Sequence, residues 1–188
     1  MSEVTPQSVE ADRIFRDNLV ALIPSLRSFA RGLCGGRDMA DDLAQDAMTR
    51  GWAARASFTP GTNFRAWMFM ILRNQFYTTI RKNSRMTSWD PEAAERLLVE
   101  APAQQHAIHM ADVAKAMLKL PAEQREVLML IGANGVSYEE AAEIIGCAIG
   151  TVKSRLARGR KALTFLIEGA PGDALFEPAR DKDVYAQN

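Results

Sequence analysis

Apolar positions along this chain recur at three- and four-residue steps rather than in alternation, a pattern that predicts helices throughout. The sharpest instance is Gly135–Leu163, GVSYEEAAEIIGCAIGTVKSRLARGRKAL. Ala141, Ala142 and Ile145 give a short first helix one inward face. Ser137 stands at the N-cap with Glu140 three residues on, so a capping box can satisfy the first free amides. Gly146 supplies the left-handed backbone that stops the helix. A second helix is expected to start near Gly150, with Val152, Leu156, Gly159 and Leu163 on one stripe. The same count places Thr151, Ser154, Arg155, Arg158 and Lys161 on another face, flanked by Lys153 and Arg160.

The rest of the chain carries the same period in shorter segments. After a loose start over residues 1–11, helical spacing begins near Asp12 with Phe15, Leu19 and Leu22 on one side. Pro24 implies a kink or a new first turn, and Ser25–Cys34 runs to the stop at Gly35 and Gly36. Asp38 is the expected cap of a helix to about Ala54, with Leu43, Ala47 and Trp52 turned inward. The turn-rich Ser57–Asn63 leads to Asn63 as the cap of Phe64–Arg85, whose core stripe is Phe64, Trp67, Met68, Ile71 and Leu72. Thr87–Gln105, broken by Pro91 and Pro102, reads as an acidic linker with room for a short helix at Glu92–Val99. Helices follow at Ala111–Lys119, with Val113, Met117 and Leu120 apolar, and at Ala122–Ala133, with Val127, Leu128 and Ile131 apolar. Glu168–Asn188 reads as a mobile tail. The fold expected is all-α: two small helical domains joined by a flexible linker, the second a four-helix domain with a helix-turn-helix.

Composition narrows the function. The chain has 188 residues, 47% of them hydrophobic, enough for folded cores. It contains no apolar run of membrane-spanning length and its first residues lack a signal-peptide core, so a cytoplasmic location is expected. Cys34 and Cys147 lie too far apart in sequence to suggest a disulfide framework. His106 and His109 have a metal-compatible spacing, but no cysteine or acid cluster completes a site nearby; no metal and no cofactor is expected. With no nucleophile–base constellation and no phosphate loop, the chain does not read as an enzyme.

Formal net charge is zero, yet the charge is segregated. Gly150–Leu163 holds five basic residues and no acid, and so does Asn63–Arg85. A basic second helix set at an angle on a short first one has the geometry that enters a DNA major groove, where arginines bond guanine edges or phosphates. The bland alternative is the solvated face of an ordinary helical hairpin. Arg73, Asn74, Tyr77 and Arg81 share a face on the other basic helix. Arginines beside an aromatic suit unstacked bases, although Phe76 and Trp67 can equally be core residues. Asp38, Asp41, Asp42 and Asp46 crowd one helix start. They complement its dipole or offer a docking surface to a basic partner.

Four motifs in one order carry a resemblance: DDLAQDAMTRGW (Asp41–Trp52), FRAWMFMILRN (Phe64–Asn74), LPAEQREVLML (Leu120–Leu130) and SYEEAAEIIGCAIGTVKSRLARGR (Ser137–Arg160). Over about residues 12–166 the chain resembles bacterial sigma factors of the extracytoplasmic-function class. IPSLRSFARGL, FTPGTNFRAWMFMILRN and SYEEAAEIIGC resemble its general-stress-response (EcfG-type) members from alphaproteobacteria. Thr78 and Ala148 depart from the broad class, which often has an aspartate and a proline there.

The resemblance implies sigma region 2 over 10–86, an acidic linker over 87–107, region 4 over 108–168 and a tail over 169–188. It implies that Asp41, Asp42, Gln45 and Asp46 dock on the clamp helices of the largest subunit of RNA polymerase core. It implies that the Ser57–Asn63 loop takes a flipped base of the −10 element, with Asn63, Arg73, Asn74, Tyr77 and Arg81 handling the melted strand. Thr151, Lys153, Ser154, Arg155 and Arg158 would read the −35 element. The partners implied are polymerase core, promoter DNA and a small anti-sigma factor, itself controlled by a sigma-mimicking response regulator. Two other readings stay open: a sigma-like mimic that sequesters an anti-sigma factor without binding DNA, and a one-component repressor. The mimics carry a receiver domain and lose the basic helix; this chain keeps GTVKSR.

Overall fold

A computed structural model describes residues 6–86 and 105–168. The first half is three helices: α1 (Pro6–Cys34), α2 (Arg37–Ala53) and, after a short 3-10 turn at Arg55–Ser57, α3 (Phe64–Met86). The second half is α4 (Gln105–Leu118), α5 (Ala122–Val127) continuing as a π-helical turn over Leu128–Ala133, α6 (Tyr138–Ile145) and α7 (Ile149–Glu168). The described residues contain no strand, as the periodicity predicts.

In the first half, α1, α2 and α3 close around Leu26, Phe29, Ala40, Ala44, Met68, Phe69 and Leu72, all fully buried. Phe29 meets Phe69 edge-on at 5.1 Å between ring centres. Towards the far end, Phe15 gathers Phe64, Phe58, Trp67 and Trp52 around it, the closest ring 5.0 Å away. Such edge-to-face pairs add about 0.5–1.5 kcal/mol each beyond the area they bury. In the second half, Val127, Leu130, Ala141, Val152 and Leu156 are buried to within a few per cent.

Several expectations change. The first helix begins at Pro6, earlier than Asp12, and runs through Pro24 without a break. Pro24 and Val20, whose carbonyl would have accepted its hydrogen bond, both lie on the exposed side. Water can therefore replace the missing donor. The second helix starts at Arg37 with Gly36 in the N-cap position and no side-chain cap, so Asp38 lies inside its first turn. Trp52 is 37% exposed at the rim of the aromatic cluster instead of inside it. On α3, Phe69 and Phe76 hold central core positions, while Phe64, Trp67 and Ile71 pack around them half-buried. Leu130 is fully buried in the core of the second half, with Ile131 packed half-buried against it, both within the π-helical turn. The expected linker helix at 92–99, the tail beyond Glu168 and the side chains of His106 and His109 lie outside the described residues.

The two halves do not stand apart. One contiguous buried cluster joins them, with α3 against α6 and α1 against α4 and α5. Met129 lies over Gly32 so closely that a Cβ added there would sit 2.3 Å from its Cγ. The missing side chain of Gly32 is what lets α1 approach the second half. Arg125 Nη1 donates to the Leu33 carbonyl at 3.1 Å across the same seam.

Candidate nucleic-acid interface

The helix-turn-helix forms as the sequence dictates. Ser137 Oγ accepts from the Glu140 amide at 3.1 Å, and the Glu140 carboxylate accepts from the Ser137 amide at 3.0 Å. The bond to the Ser137 backbone holds the Glu140 carboxyl below its ordinary range, with the bond from Asn63 adding to it and burial opposing it. Gly146 takes φ 74°, ψ 42°, and its amide returns to Ala142 to end α6. Helix α7 then buries Val152, Leu156 and Gly159 against the domain. At Gly159 an added Cβ would meet Leu128 Cδ1 at 3.0 Å, so glycine sets how closely α5 and α7 pack.

That anchoring decides what α7 presents outward. Lys153, Ser154 and Arg158 are exposed, Thr151 is half-buried, and Arg160 and Lys161 continue the basic surface. Ser154 Oγ donates to the Thr151 carbonyl at 3.0 Å. Lys153 reaches over the Tyr138 ring at 5.8 Å. Arg155 differs from its neighbours: it is half-buried and its charge is felt by Glu126 of α5. The result is a row of cations and hydroxyls on a helix whose other side is locked, the arrangement that suits a groove lined by phosphates and base edges.

The second basic face sits on α3. Asn63 caps that helix through its Oδ1, which accepts from the Ala66 amide at 3.0 Å. Asn74 and Arg81 are exposed, and Arg81 Nε donates to the Tyr77 carbonyl at 3.2 Å. Arg73 and Tyr77 point instead into the seam between the halves. Arg73 Nε donates to Glu126 Oε1 at 2.6 Å, the Tyr77 hydroxyl donates to Glu126 Oε2 at 3.2 Å, and the Arg73 guanidinium lies 4.8 Å over the Tyr77 ring. Asn63 is bonded across the same seam, its amide donating to Glu140.

Glu126 was not among the residues singled out from the sequence, and it is 0% exposed. Burial raises its carboxyl above the ordinary range, while Arg73 and Tyr77 pull it back. Burial and the Glu126 charge also raise the Tyr77 hydroxyl well above its usual value, which keeps it a neutral donor. The signal for Glu126 was present: an acid beside Val127, on the inward side of an apolar segment, needs a partner there.

The acidic group on α2 divides in two. Asp41 turns towards α1, with Arg31 at 3.5 Å and Arg27 at 3.6 Å. Asp42, Gln45 and Asp46 remain exposed along one side of α2.

Both halves of the chain are similar to known proteins. Residues 19–86 match Sigma-70 region 2, and residues 110–163 match Sigma-70, region 4. The chain is 45% identical over 152 residues to the ECF RNA polymerase sigma factor EcfG of Rhodopseudomonas palustris (strain TIE-1), spanning 81% of this chain and 84% of that one. Its fold is similar to the sigma factor RpoE in complex with the anti-sigma factor NepR from Bartonella quintana, at TM-score 0.71 and 42% identity, covering 84% of this chain and 98% of that one. It is also similar to CnrH in complex with the cytosolic domain of CnrY, at TM-score 0.65 and 26% identity, covering 85% and 94%.

Proposed function

The chain belongs to the extracytoplasmic-function sigma factors, the subunits that bring RNA polymerase to promoters and are regulated by anti-sigma factors. From that premise we propose how its residues divide the work. Region 2 spans 10–86, region 4 spans 108–168, and 87–107 connects them. Lys153, Ser154 and Arg158, with Thr151 and Arg155, read the −35 element. Asn63, Arg73, Asn74, Tyr77 and Arg81 handle the melted −10 strand. Asp42, Gln45 and Asp46, with Asp41 behind them, dock on the polymerase clamp helices. The protein supplies binding and no covalent chemistry: capturing an extruded base and stacking others offsets part of the cost of opening the duplex.

The finer assignments follow from similarity. Identity to EcfG supports control of general stress genes. NepR bound to RpoE supports an anti-sigma partner of that kind. We propose further, from the family resemblance alone, that a sigma-mimicking response regulator acts on that partner. No helix among the described residues is long and apolar enough to cross a membrane. The reading places the protein in the cytoplasm, beside its polymerase.

The observation that carries the −35 assignment is the locked back of α7 behind an exposed cationic front. It also separates this reading from a sequestering mimic, which has no use for a basic groove-fitting face. Arg158→Ala is the clean test, since Arg155 also faces Glu126. It is expected to cost about 1–3 kcal/mol of promoter affinity if the lost contact is to a base. Footprinting the −35 region with the variant holoenzyme measures this; unchanged protection and transcription would sink the assignment.

A further inference from the structure

The face proposed to handle the melted strand is occupied in this structure. Three of its five residues, Asn63, Arg73 and Tyr77, are bonded to acids of region 4. We propose that the chain latches itself shut: the Glu126 carboxylate takes the place of a strand phosphate between Arg73 and Tyr77, masking region 2 without any partner. This rests on the strand-handling reading of Arg73 and Tyr77 given above.

The chemistry of the contact is that of a nucleotide site. Carboxylate and phosphate both offer paired anionic oxygens to a guanidinium. Glu126 presents one oxygen to Arg73 Nε at 2.6 Å and the other to the Tyr77 hydroxyl at 3.2 Å. A cation and an aromatic ring, stacked 4.8 Å apart, are what a single strand asks of its binding groove. A carboxylate with no exposed surface persists as an ion only where something binds it. The seam beside it is closely fitted, with Met129 over Gly32, Leu118 beside Gly35 and Arg125 on the Leu33 carbonyl.

The energetics suit a latch. A buried ion pair adds little net stability over two hydrated ions, but removing one partner leaves a buried charge and is costly. The pair therefore selects the closed arrangement, yet opens at small cost when both groups return to water together. A strand phosphate or polymerase core can then displace Glu126.

Small-angle X-ray scattering from the full chain, alone in solution, tests this. Glu126→Arg and Arg73→Glu are each expected to raise the radius of gyration, because like charges then face one another. The double variant Arg73→Glu/Glu126→Arg is expected to restore the compact profile, which a merely damaged fold would not do. Gly32→Leu wedges the seam from the α1 side, away from every residue assigned to DNA. It is expected to expand the chain with helical circular dichroism intact. It is also expected to bind a single-stranded −10 oligonucleotide roughly tenfold more tightly, since apparent affinity scales with the open fraction. An expanded wild-type profile, or Glu126→Arg and Gly32→Leu profiles that overlay on it, overturns the latch. Expansion without tighter oligonucleotide binding, together with normal promoter opening by Arg73→Glu holoenzyme, overturns the strand-handling reading instead.

Discussion

Ser137 and Glu140 close the first turn of α6, so the helix-turn-helix depends on two side chains that never touch DNA in this reading. Replacing an N-cap serine by alanine costs about 1 kcal/mol, and Ser137→Ala is expected to lower thermal stability accordingly. The cap also has a pH signature. Glu140 is held below its ordinary value in the folded chain, so its contribution is complete above about pH 4.5 and is lost as pH falls through the depressed value. Thermal unfolding between pH 7 and pH 3 should show wild type losing more stability in acid than Glu140→Gln. Parallel acid limbs would mean that the carboxylate form of Glu140 adds nothing. At the same scale, Glu126 shows why a residue's neighbours outrank its type. In the sequence it is one acid among several on a short helix; in the fold it is the partner of Arg73 and Tyr77.

Elements carry the separation of tasks. Helix α3 buries Met68, Phe69, Leu72 and Phe76 on one side and aims Arg73 and Tyr77 at the other half of the molecule. The aromatic residues near its start, Phe64 and Trp67, are spent on the cluster around Phe15. The stacking capacity of α3 therefore rests on Tyr77 rather than on the aromatic content of the helix. Helix α2 does the converse: Leu43, Ala44 and Ala47 face the core while Asp42, Gln45 and Asp46 face out. One acid near a helix start is enough for the dipole, and the exposed remainder is the basis of the docking assignment. Asp42→Arg is expected to weaken holoenzyme assembly while leaving the circular dichroism unchanged, because an exposed substitution usually shifts stability by less than about 0.5 kcal/mol. Normal capture of polymerase core by this variant would return α2 to a purely structural role.

At the scale of the whole molecule, the two regions share one buried cluster, and the fold matches a sigma factor solved with its anti-sigma factor at TM-score 0.71. A partner that recognises both regions together gains from finding them already assembled. A NepR-type anti-sigma factor is accordingly expected to bind Glu126→Arg more weakly than wild type, in proportion to the closed fraction lost. Isothermal titration calorimetry measures this. Equal affinity would mean that the partner grips one region and is indifferent to closure.

The sequence by itself determined much of what depends on neighbours a few residues apart, though not the cap of α2 or the unbroken path of α1 through Pro24. The 3.6-residue period gave the helical class, Ser137 with Glu140 gave the cap, Gly146 gave the stop, Asn63 gave the start of α3, and the spacing of cations gave the exposed face of α7. These are local effects of backbone geometry and side-chain reach, legible in one dimension. The order of four motifs was enough to place the chain in its family. What only the tertiary structure decided is where the two halves meet. The seam depends on Gly32 lying under Met129, on Arg125 reaching the Leu33 carbonyl and on Glu126 entering between Arg73 and Tyr77. Each of those pairs is separated by more than forty residues, and the sign of a charge says nothing of which distant partner will desolvate it. Burial turned an acid unremarked in the linear reading, and a basic face read there as suited to unstacked bases, into one contact, because a charge removed from water must find its opposite.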